Sequence, residues 1–543
     1  MAPPALFALM GLAPALAADC CWCDKATTAA DLSTTGTDHQ QYDLVFSDEF
    51  NEKGRNFENG KDSKWTGLTV GDTSNHGAAF YLPEQATVAT DPLFPDVSAL
   101  LITTVSTENK SYTGVGPEGE TNVAMPFRSA MLQTWNKFCF TGGILEYRAR
   151  QPLGAGYWPA LWAFGNLGRA VFQASNTGLW PWSYDECDPD LELPPMDPPQ
   201  RISACHDQAE DSGLHPFQGR GATELDVLEG AVTDSGEESY VVASLQLSPG
   251  LPYASPRRPP LRVCTESDVK YFKPPLFTFP TADFEGSWYT GLSFGPEGKP
   301  NSGWYGPPWG SPCPTGCPDA LSGGITEKAL FAPVLDYPAP ASRRLCNDLH
   351  SRYWTYRMEW IPGPQGRILW LYDGAFVWGS ERLSQAIYVA LDSNSFGEYK
   401  HCTKTNDGEK CKRTPPRMIP QEPMSLVMNT AIGTWNGGAT ALDGKHWPAK
   451  FYIDYVRVFQ KKEDTNIGCN PPDYPTKTYI EKNKEKYGPW VTPIGYDTCP
   501  ESYPQSAFDH AEVIKARANK LKLMKADTKI LAAAEYGAVA KER

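Results

Sequence analysis

Three carboxylates on one apolar run are the residues of this chain best spaced to do chemistry. They lie in Gly219-Arg220-Gly221-Ala222-Thr223-Glu224-Leu225-Asp226-Val227-Leu228-Glu229-Gly230. Residues two apart on a strand share a face, so Glu224 and Asp226 point together, whereas Glu229 points away unless one extra residue intervenes. A β-bulge at Val227-Leu228 supplies that residue and puts all three acids on one face, and bulges re-aim side chains in this way beside active sites. The two Glu backbones are then about 13 Å apart at the usual strand rise. Their carboxyls can lean together toward the about 5–5.5 Å that lets one acid attack a glycosidic carbon while the other moves the proton. An E-x-D-x-x-E string arises by chance in about one chain of this length in ten, so its surroundings have to decide.

The surroundings begin with composition. The chain has 543 residues, with 49 Pro, 47 Gly and 12% aromatics, which suits many short strands joined by ordered turns and argues against a helical bundle. A formal charge of −15 disfavours nucleic-acid backbones and anionic membrane surfaces, and a neutral polymer such as a glucan is not repelled. Leu6 to Ala13 reads as a short apolar stretch ahead of Ala15-Leu16-Ala17, the small-x-small form of a signal-peptidase site. Residues 1–18 are therefore expected to be a cleaved signal peptide, with no later transmembrane helix and a lumenal, extracellular or cell-surface location. Fourteen cysteines in such a compartment read as disulfides rather than zinc ligands. Local pairs Cys187–Cys205, Cys402–Cys411 and Cys469–Cys499 are plausible, although spacing alone leaves connectivity open. Asn109-Lys110-Ser111 is an acceptor sequon for glycosylation.

Strand-like runs that could position the acids include Tyr42–Phe50, Ala99–Val105, Ser129–Trp135, Ile144–Arg150, Trp158–Phe164, Tyr240–Leu247, Trp354–Trp360, Ile368–Tyr372, Met424–Asn429 and Phe451–Phe459. Alternation is cleanest at Trp354, Tyr356, Met358 and Trp360. Strands of this kind with almost no helical period imply an all-β sandwich or barrel. The expected organisation is a Cys-bearing leader over 19–40, one large β domain over 41–465, a Cys-bracketed extension over 466–505 and an amphipathic helical tail over 506–543. Insertions at about 183–218 and 249–345 are long enough to be functional loops that wall a cleft. The tail places Ile514, Ala518, Leu521, Met524 and Leu531 at helical spacing and is expected to dock on its own domain or fray.

Aromatic side chains supply the other half of the candidate chemistry. Trp158 and Trp162 fall on one face of a strand with Ala160 between them, and Trp135, Trp180 and Trp182 cluster nearby in sequence. Such faces can stack on sugar rings, although a strand tryptophan is as readily a core residue. The expectation is a substrate-binding surface of Trp135, Trp158, Trp162, Trp180 and Trp182.

Taken together, F-S-D-E-F near the start, G-G-x-L-E-Y-R-A-R followed by G-x-W-P-A-L-W, the E-L-D-V-L-E strand, P-M-S-L-V-M-N-T-A-I-G and Y-I-D-Y-V-R-V-F resemble glycoside hydrolase family 16 over roughly 41–500. The match is nearer to one branch, the fungal-type β-1,6-glucan synthesis-associated proteins. Distinctive for it are Leu132 to Lys137, Gly165 to Arg169, Gly178 to Cys187, Gly219-Arg220-Gly221 and Cys469 to Thr476. The resemblance implies a jelly-roll β-sandwich of two antiparallel sheets with long loop insertions. It also implies that Glu224 is the nucleophile, Glu229 the general acid/base, its affinity for the proton raised by the like charges beside it, and Asp226 the assisting carboxylate.

The activity so implied is a retaining β-glucan glycosidase or transglycosylase in β-1,6/β-1,3-glucan synthesis or wall remodelling, with β-glucan polysaccharide or oligosaccharide as partner and no nucleic acid. The alternative is a non-catalytic glucan-binding assembly factor for wall polysaccharide synthesis. Peripheral association with a secretory or plasma membrane is a further expectation. No cofactor is required, and a structural calcium held by Glu49 and Asp454 is the one metal the resemblance implies.

Overall fold

The computed structural model describes residues 20–247 and 349–523 apart from loop segments, the longest of them 188–199 and 434–445, and three short strands within 248–348. The expected signal peptide, the sequon residue Asn109, much of both insertions and the tail beyond residue 523 lie outside the described residues.

The chain folds as two packed sheets, a jelly-roll β-sandwich. One sheet runs in the order Glu381–Ala386, Arg367–Trp378, Trp354–Ile361, Gly143–Arg150, Ala449–Gln460, Phe94–Ser106, Phe127–Ser129, Ala79–Tyr81 and Val70–Gly71. The other runs Leu321–Ser322, Ser342–Arg344, Ser239–Leu247, Glu224–Val232, Trp158–Gly165, Met424–Ala431, Met131–Gln133 and Thr66–Gly67. Pairing is antiparallel throughout both paths except where Phe127–Ser129 lies parallel to Ala79–Tyr81. The single strand expected over Ser129–Trp135 is two, and they belong to different sheets. Ala130 sits at the crossing, wholly buried; chains that switch sheets at a bend make the corners of sandwiches.

Between the sheets lies one apolar core. From the first sheet it takes Trp354, Tyr356, Met358 and Trp360, the alternating set visible in the sequence, each 2% exposed or less. From the second it takes Leu161, Ala163, Leu225, Val227, Leu228, Leu426 and Met428. Burying a side chain of Met or Leu size stabilises by roughly 1.5–3 kcal/mol, so the inward faces of both sheets are strongly specified. A second apolar cluster covers the opposite face of the second sheet and includes Tyr81, Met131, Phe164, Leu179 and Val427, with Trp162 and Trp180 packed against it. That outer face is where the acids lie.

Segments remote in sequence stitch the sandwich together. Trp22 from the expected leader packs into the main core, and Ser33–Thr35 pairs with Gln41–Asp48, so this stretch is part of the domain. Cys187–Cys205 is bridged as expected, but Cys469 pairs with Cys139 and Cys499 with Cys21. The expected Cys469–Cys499 bracket is therefore wrong: each cysteine finds its partner across the fold, and the extension is pinned at two points to the sandwich. Cys20–Cys23 is a further bridge, closing a C-x-x-C spacing. Cys402 and Cys411 are register partners in the Tyr399–Thr405 and Gly408–Thr414 hairpin. The helix over 511–523 docks through buried Leu521 and through Arg517, which donates to the Phe217 carbonyl at 3.2 Å. Among the described residues no helix is long and apolar enough to cross a membrane.

The entry to the acidic strand is braced by a buried ion pair. Arg220 donates through Nε and Nη2 to the two carboxylate oxygens of Glu422, both at 2.7 Å, and through Nη1 to the Pro475 carbonyl at 2.8 Å. Tyr474 lies under the guanidinium, 5.3 Å from ring centre to Cζ. Gly221, the next residue, accepts no larger side chain, since a Cβ there would lie 1.9 Å from the Trp182 carbonyl oxygen. One cluster thus ties the extension, the segment leading into Met424–Ala431 and the loop over 179–182 to the start of Glu224–Val232.

Two outcomes follow. Non-reducing peptide mapping should recover Cys139–Cys469 and Cys21–Cys499 and no Cys469–Cys499 peptide, and Cys139→Ser with Cys469→Ser should lower the unfolding free energy by about 2–5 kcal/mol. Glu422→Ala leaves Arg220 buried without its anion and should cost about 3–5 kcal/mol in a denaturant titration, far more than replacement of an exposed acid.

Candidate active site

A strand with a packed core on one face can show acids at 224, 226 and 229 together on the other only if its alternation breaks once. In pairing with Trp158–Gly165, Leu161 faces Leu228 and Trp162 faces Asp226, so Val227 is passed over. In pairing with Ser239–Leu247 the register shifts between Asp226 and Glu229. The bulge expected at Val227-Leu228 is therefore where the chain places it. Its effect is visible in burial: Leu225, Val227 and Leu228 all point into the main core, fully enclosed. Glu224, Asp226 and Glu229 consequently share the other face.

The break has a partner in the facing sheet. Trp370, wholly buried, donates its indole N–H to the Asp226 carbonyl at 2.9 Å. An indole inside a core needs an acceptor, and a bulge disturbs the ladder that otherwise uses the strand's carbonyls. Nothing in the sequence marks this contact, because it joins residues from two sheets.

Each acid is held by a named donor. Trp158 Nε1 donates to Glu229 Oε1 at 2.9 Å, Trp180 Nε1 to Glu224 Oε2 at 2.7 Å, and Gln246 Nε2 to Asp226 Oδ2 at 3.1 Å. The register explains two of these. Ala160 is opposite Glu229, so the small residue leaves room for Trp158 to reach that carboxylate. Gln246 is directly opposite Glu224, one face position from Asp226. Trp180 comes from the loop braced by Gly221, and its reach to Glu224 depends on that brace. Trp162 faces Asp226 across the strands and gives its indole N–H to Asn429 Oδ1 at 2.8 Å.

Of the five tryptophans expected to bind substrate, Trp158, Trp162 and Trp180 are at the acids, two of them holding carboxylates. Trp135 and Trp182 are not available to a sugar. Trp182 is 1% exposed. Trp135 is enclosed between Tyr487, stacked at 5.3 Å, and the Arg169 guanidinium at 4.8 Å, with its N–H on the Asn166 carbonyl. Both are packing residues, which residue type and sequence position alone could not reveal. Conversely, Gln246, Asn429 and Trp370 were missed: an isolated Gln, Asn or Trp carries no signal until strand register is known.

The residues expected to hold calcium do not fit it. Glu49 accepts from Arg457 Nε and Nη2 at 2.9 and 2.8 Å and from the Thr27 hydroxyl at 2.7 Å. Asp454 is paired with Arg148, and burial raises its carboxyl above the ordinary aspartate range against the pull of that arginine. Calcium takes six to eight oxygen ligands, whereas here two guanidinium groups occupy the carboxylates. Among the described residues no group of three or more His, Cys, Asp or Glu could hold a metal ion.

Comparison with known proteins bears on this arrangement. The chain is similar to the beta-glucan synthesis-associated protein KRE6 of Candida albicans, 28% identical over 482 residues that make up 86% of this chain and 52% of that protein. It is also similar to KRE6 of Saccharomyces cerevisiae, 28% identical over 461 residues, 82% of this chain and 50% of that protein. The chain thus spans about half the length of the curated relatives it matches. Solved structures similar to it include the catalytic domain of an endo-1,3-beta-glucanase (laminarinase) from Thermotoga petrophila RKU-1, 16% identical, covering 78% of this chain and 98% of that one at a TM-score of 0.37. Another is SCLam, a non-specific endo-beta-1,3(4)-glucanase from family GH16, 17% identical, covering 78% and 92% at a TM-score of 0.37. Likenesses at these scores carry no argument about activity. The family model described as "Beta-glucan synthesis-associated protein SKN1/KRE6/Sbg1" matches residues 13–266 and 345–492, both sides of the long insertion and the whole acidic strand, and the chain belongs to that family.

Proposed function

We propose that the protein is a retaining glycosidase or transglycosylase that acts on β-glucan during its synthesis or remodelling in the secretory pathway or at the cell surface. The observation that carries this reading is the register break at Val227-Leu228, which sets Glu224, Asp226 and Glu229 on one face beside Trp158, Trp162 and Trp180. Disulfides across the fold fit an oxidising compartment, and the family's description names glucan synthesis.

In this mechanism a Glu224 oxygen attacks the anomeric carbon of a bound glucosyl unit while Glu229 gives its proton to the leaving oxygen, so one C–O bond forms as the other breaks. Glu229, now a carboxylate, then removes the proton from an incoming hydroxyl, which displaces Glu224 from the sugar. Water at that step gives hydrolysis and a sugar hydroxyl gives transfer. Asp226, between the two and held by Gln246, orients the pair. The indole of Trp180 holds one Glu224 oxygen in place through both steps, and that of Trp158 does the same for Glu229.

The test is to incubate the purified full chain with labelled β-1,3- and β-1,6-gluco-oligosaccharides beside Glu224→Gln and Glu229→Gln. Longer products from the wild type establish transfer and shorter ones hydrolysis. Glu224→Gln should lower turnover by about four orders of magnitude or more. Glu229→Gln should lower it by about two to four, and by less on a glycoside whose leaving group needs no proton. If wild type and variants bind the oligosaccharides and leave them unchanged, the protein is a glucan-binding assembly factor instead.

A further inference from the structure

Beyond the acids, the outer face of the second sheet carries a line of polar side chains whose hydrogen bonds can run in only one sense. Asn429 is the register partner of Ala160 on one side, and Glu229 is its partner on the other. Adjacent strands lie roughly 4.8 Å apart, so Ala160 forms the floor of a notch with Asn429 and Glu229 on its two flanks. Trp158 and Trp162, two residues before and after on the same face, are its end walls.

The line starts at Trp162, whose Nε1 donates to Asn429 Oδ1 at 2.8 Å. Asn429 Nδ2 donates to the Tyr81 hydroxyl at 3.4 Å, and that hydroxyl donates to Asp72 Oδ2 at 2.8 Å. An indole nitrogen only donates, so the amide atom that meets it has to be the oxygen. A phenol has one proton, here given to a carboxylate, so toward Asn429 it accepts. Burial and then the Asp72 charge push the Tyr81 phenol well above its ordinary value, and it keeps that proton at any physiological pH. The orientation of the Asn429 amide, often a matter of choice at an asparagine, is therefore fixed by its neighbours. The line uses one of the two N–H bonds of this 4%-exposed side chain.

We propose that Asn429 reads the sugar: its second amide N–H donates to a hydroxyl of the glucosyl unit resting over Ala160 beside Glu229, while Tyr81 and Asp72 are positioning residues that hold the amide in that sense. The assignment rests on the glucan-active reading above and adds to it a residue that selects the substrate. A site built to hydrogen-bond a hydroxyl discriminates strongly against an analogue that lacks it, which gives the inference its own signature.

The experiment uses the full chain carrying Glu224→Gln, which cannot turn over, titrated calorimetrically with a linear β-gluco-oligosaccharide and its monodeoxy analogues, with and without Asn429→Ala. Asn429→Ala should weaken the parent sugar about tenfold. One deoxy analogue should bind less well than the parent when Asn429 is present and as well as the parent when Asn429→Ala is added. Tyr81→Phe, which deletes the acceptor and leaves the apolar packing, should reduce the same discrimination several-fold and decides the matter if Asn429→Ala does not fold. Unchanged affinity, or a uniform loss that keeps the deoxy pattern, overturns the inference. If instead the deoxy pattern depends on Asn429 but wild type converts no oligosaccharide, the catalytic reading fails and this one stands.

Discussion

The alternation of a β-strand is the constraint on which this molecule turns. A strand packed against a sandwich core sends every second residue inward, and an acid cannot follow it there without a partner. Glu224–Val232 meets the conflict with one extra residue. Val227 and Leu228 both go into the core, and the carboxylates before and after them emerge together. The price of the break is a disturbed ladder, and Trp370 offsets it by giving its indole N–H to the Asp226 carbonyl from the opposite sheet. The bulge is thus a feature of the sandwich as a whole, held from both sides.

That dependence continues outward. The strand begins just after Gly221, which has no room for a side chain because the loop over 179–182 lies against it. Arg220, one residue earlier, is anchored by Glu422 and by the Pro475 carbonyl. Pro475 belongs to the extension that Cys139–Cys469 fastens to the sandwich. Trp180 on the same loop meets Glu224. A segment well past the last sheet strand therefore helps to set where one acid sits, although it contributes no group to the acids themselves.

This explains what could be seen in the sequence and what could not. The inward set Trp354, Tyr356, Met358 and Trp360 was legible because strand period is a local property, and so was the bulge, because the spacing of three acids on one face demands it. The Cys469–Cys499 pair misled because short separation is a weak guide when both cysteines have partners brought close by folding. Trp135 and Trp182 misled for a related reason: Trp182 is two residues from Trp180 but turns into the packing, and Trp135 is enclosed by Tyr487 and Arg169, which come next to it only on folding. The calcium expectation failed on charge, since Arg457 meets Glu49 only once Gln41–Asp48 pairs with Ala449–Gln460, and Arg148 meets Asp454 only once Gly143–Arg150 pairs with that same strand. Asn429 and Gln246 were invisible as single residues and acquire meaning from register alone.

The tryptophans at the site also change meaning once the hydrogen bonds are known. Stacking needs only a ring face, and any aromatic could supply it. Trp158 and Trp180 instead use their N–H groups on Glu229 and Glu224. A donor that neither accepts nor titrates in the physiological range is suited to that position, because it can fix a carboxylate oxygen without competing for the proton that the acid must exchange. A lysine there would add a charge that stabilises the carboxylate form of Glu229 and so oppose its work as an acid, and a histidine would bring a second titration into the same range. The neutral indole holds geometry and stays out of the proton traffic. Among the described residues, that division also leaves Trp162, tied to Asn429 and only partly buried, as the one strand tryptophan of this face whose N–H is not given to an acid. The ring that can meet a sugar and the amide that can read its hydroxyl are thus held by the same hydrogen bond, and recognition is built beside the acids without drawing on the contacts that position them.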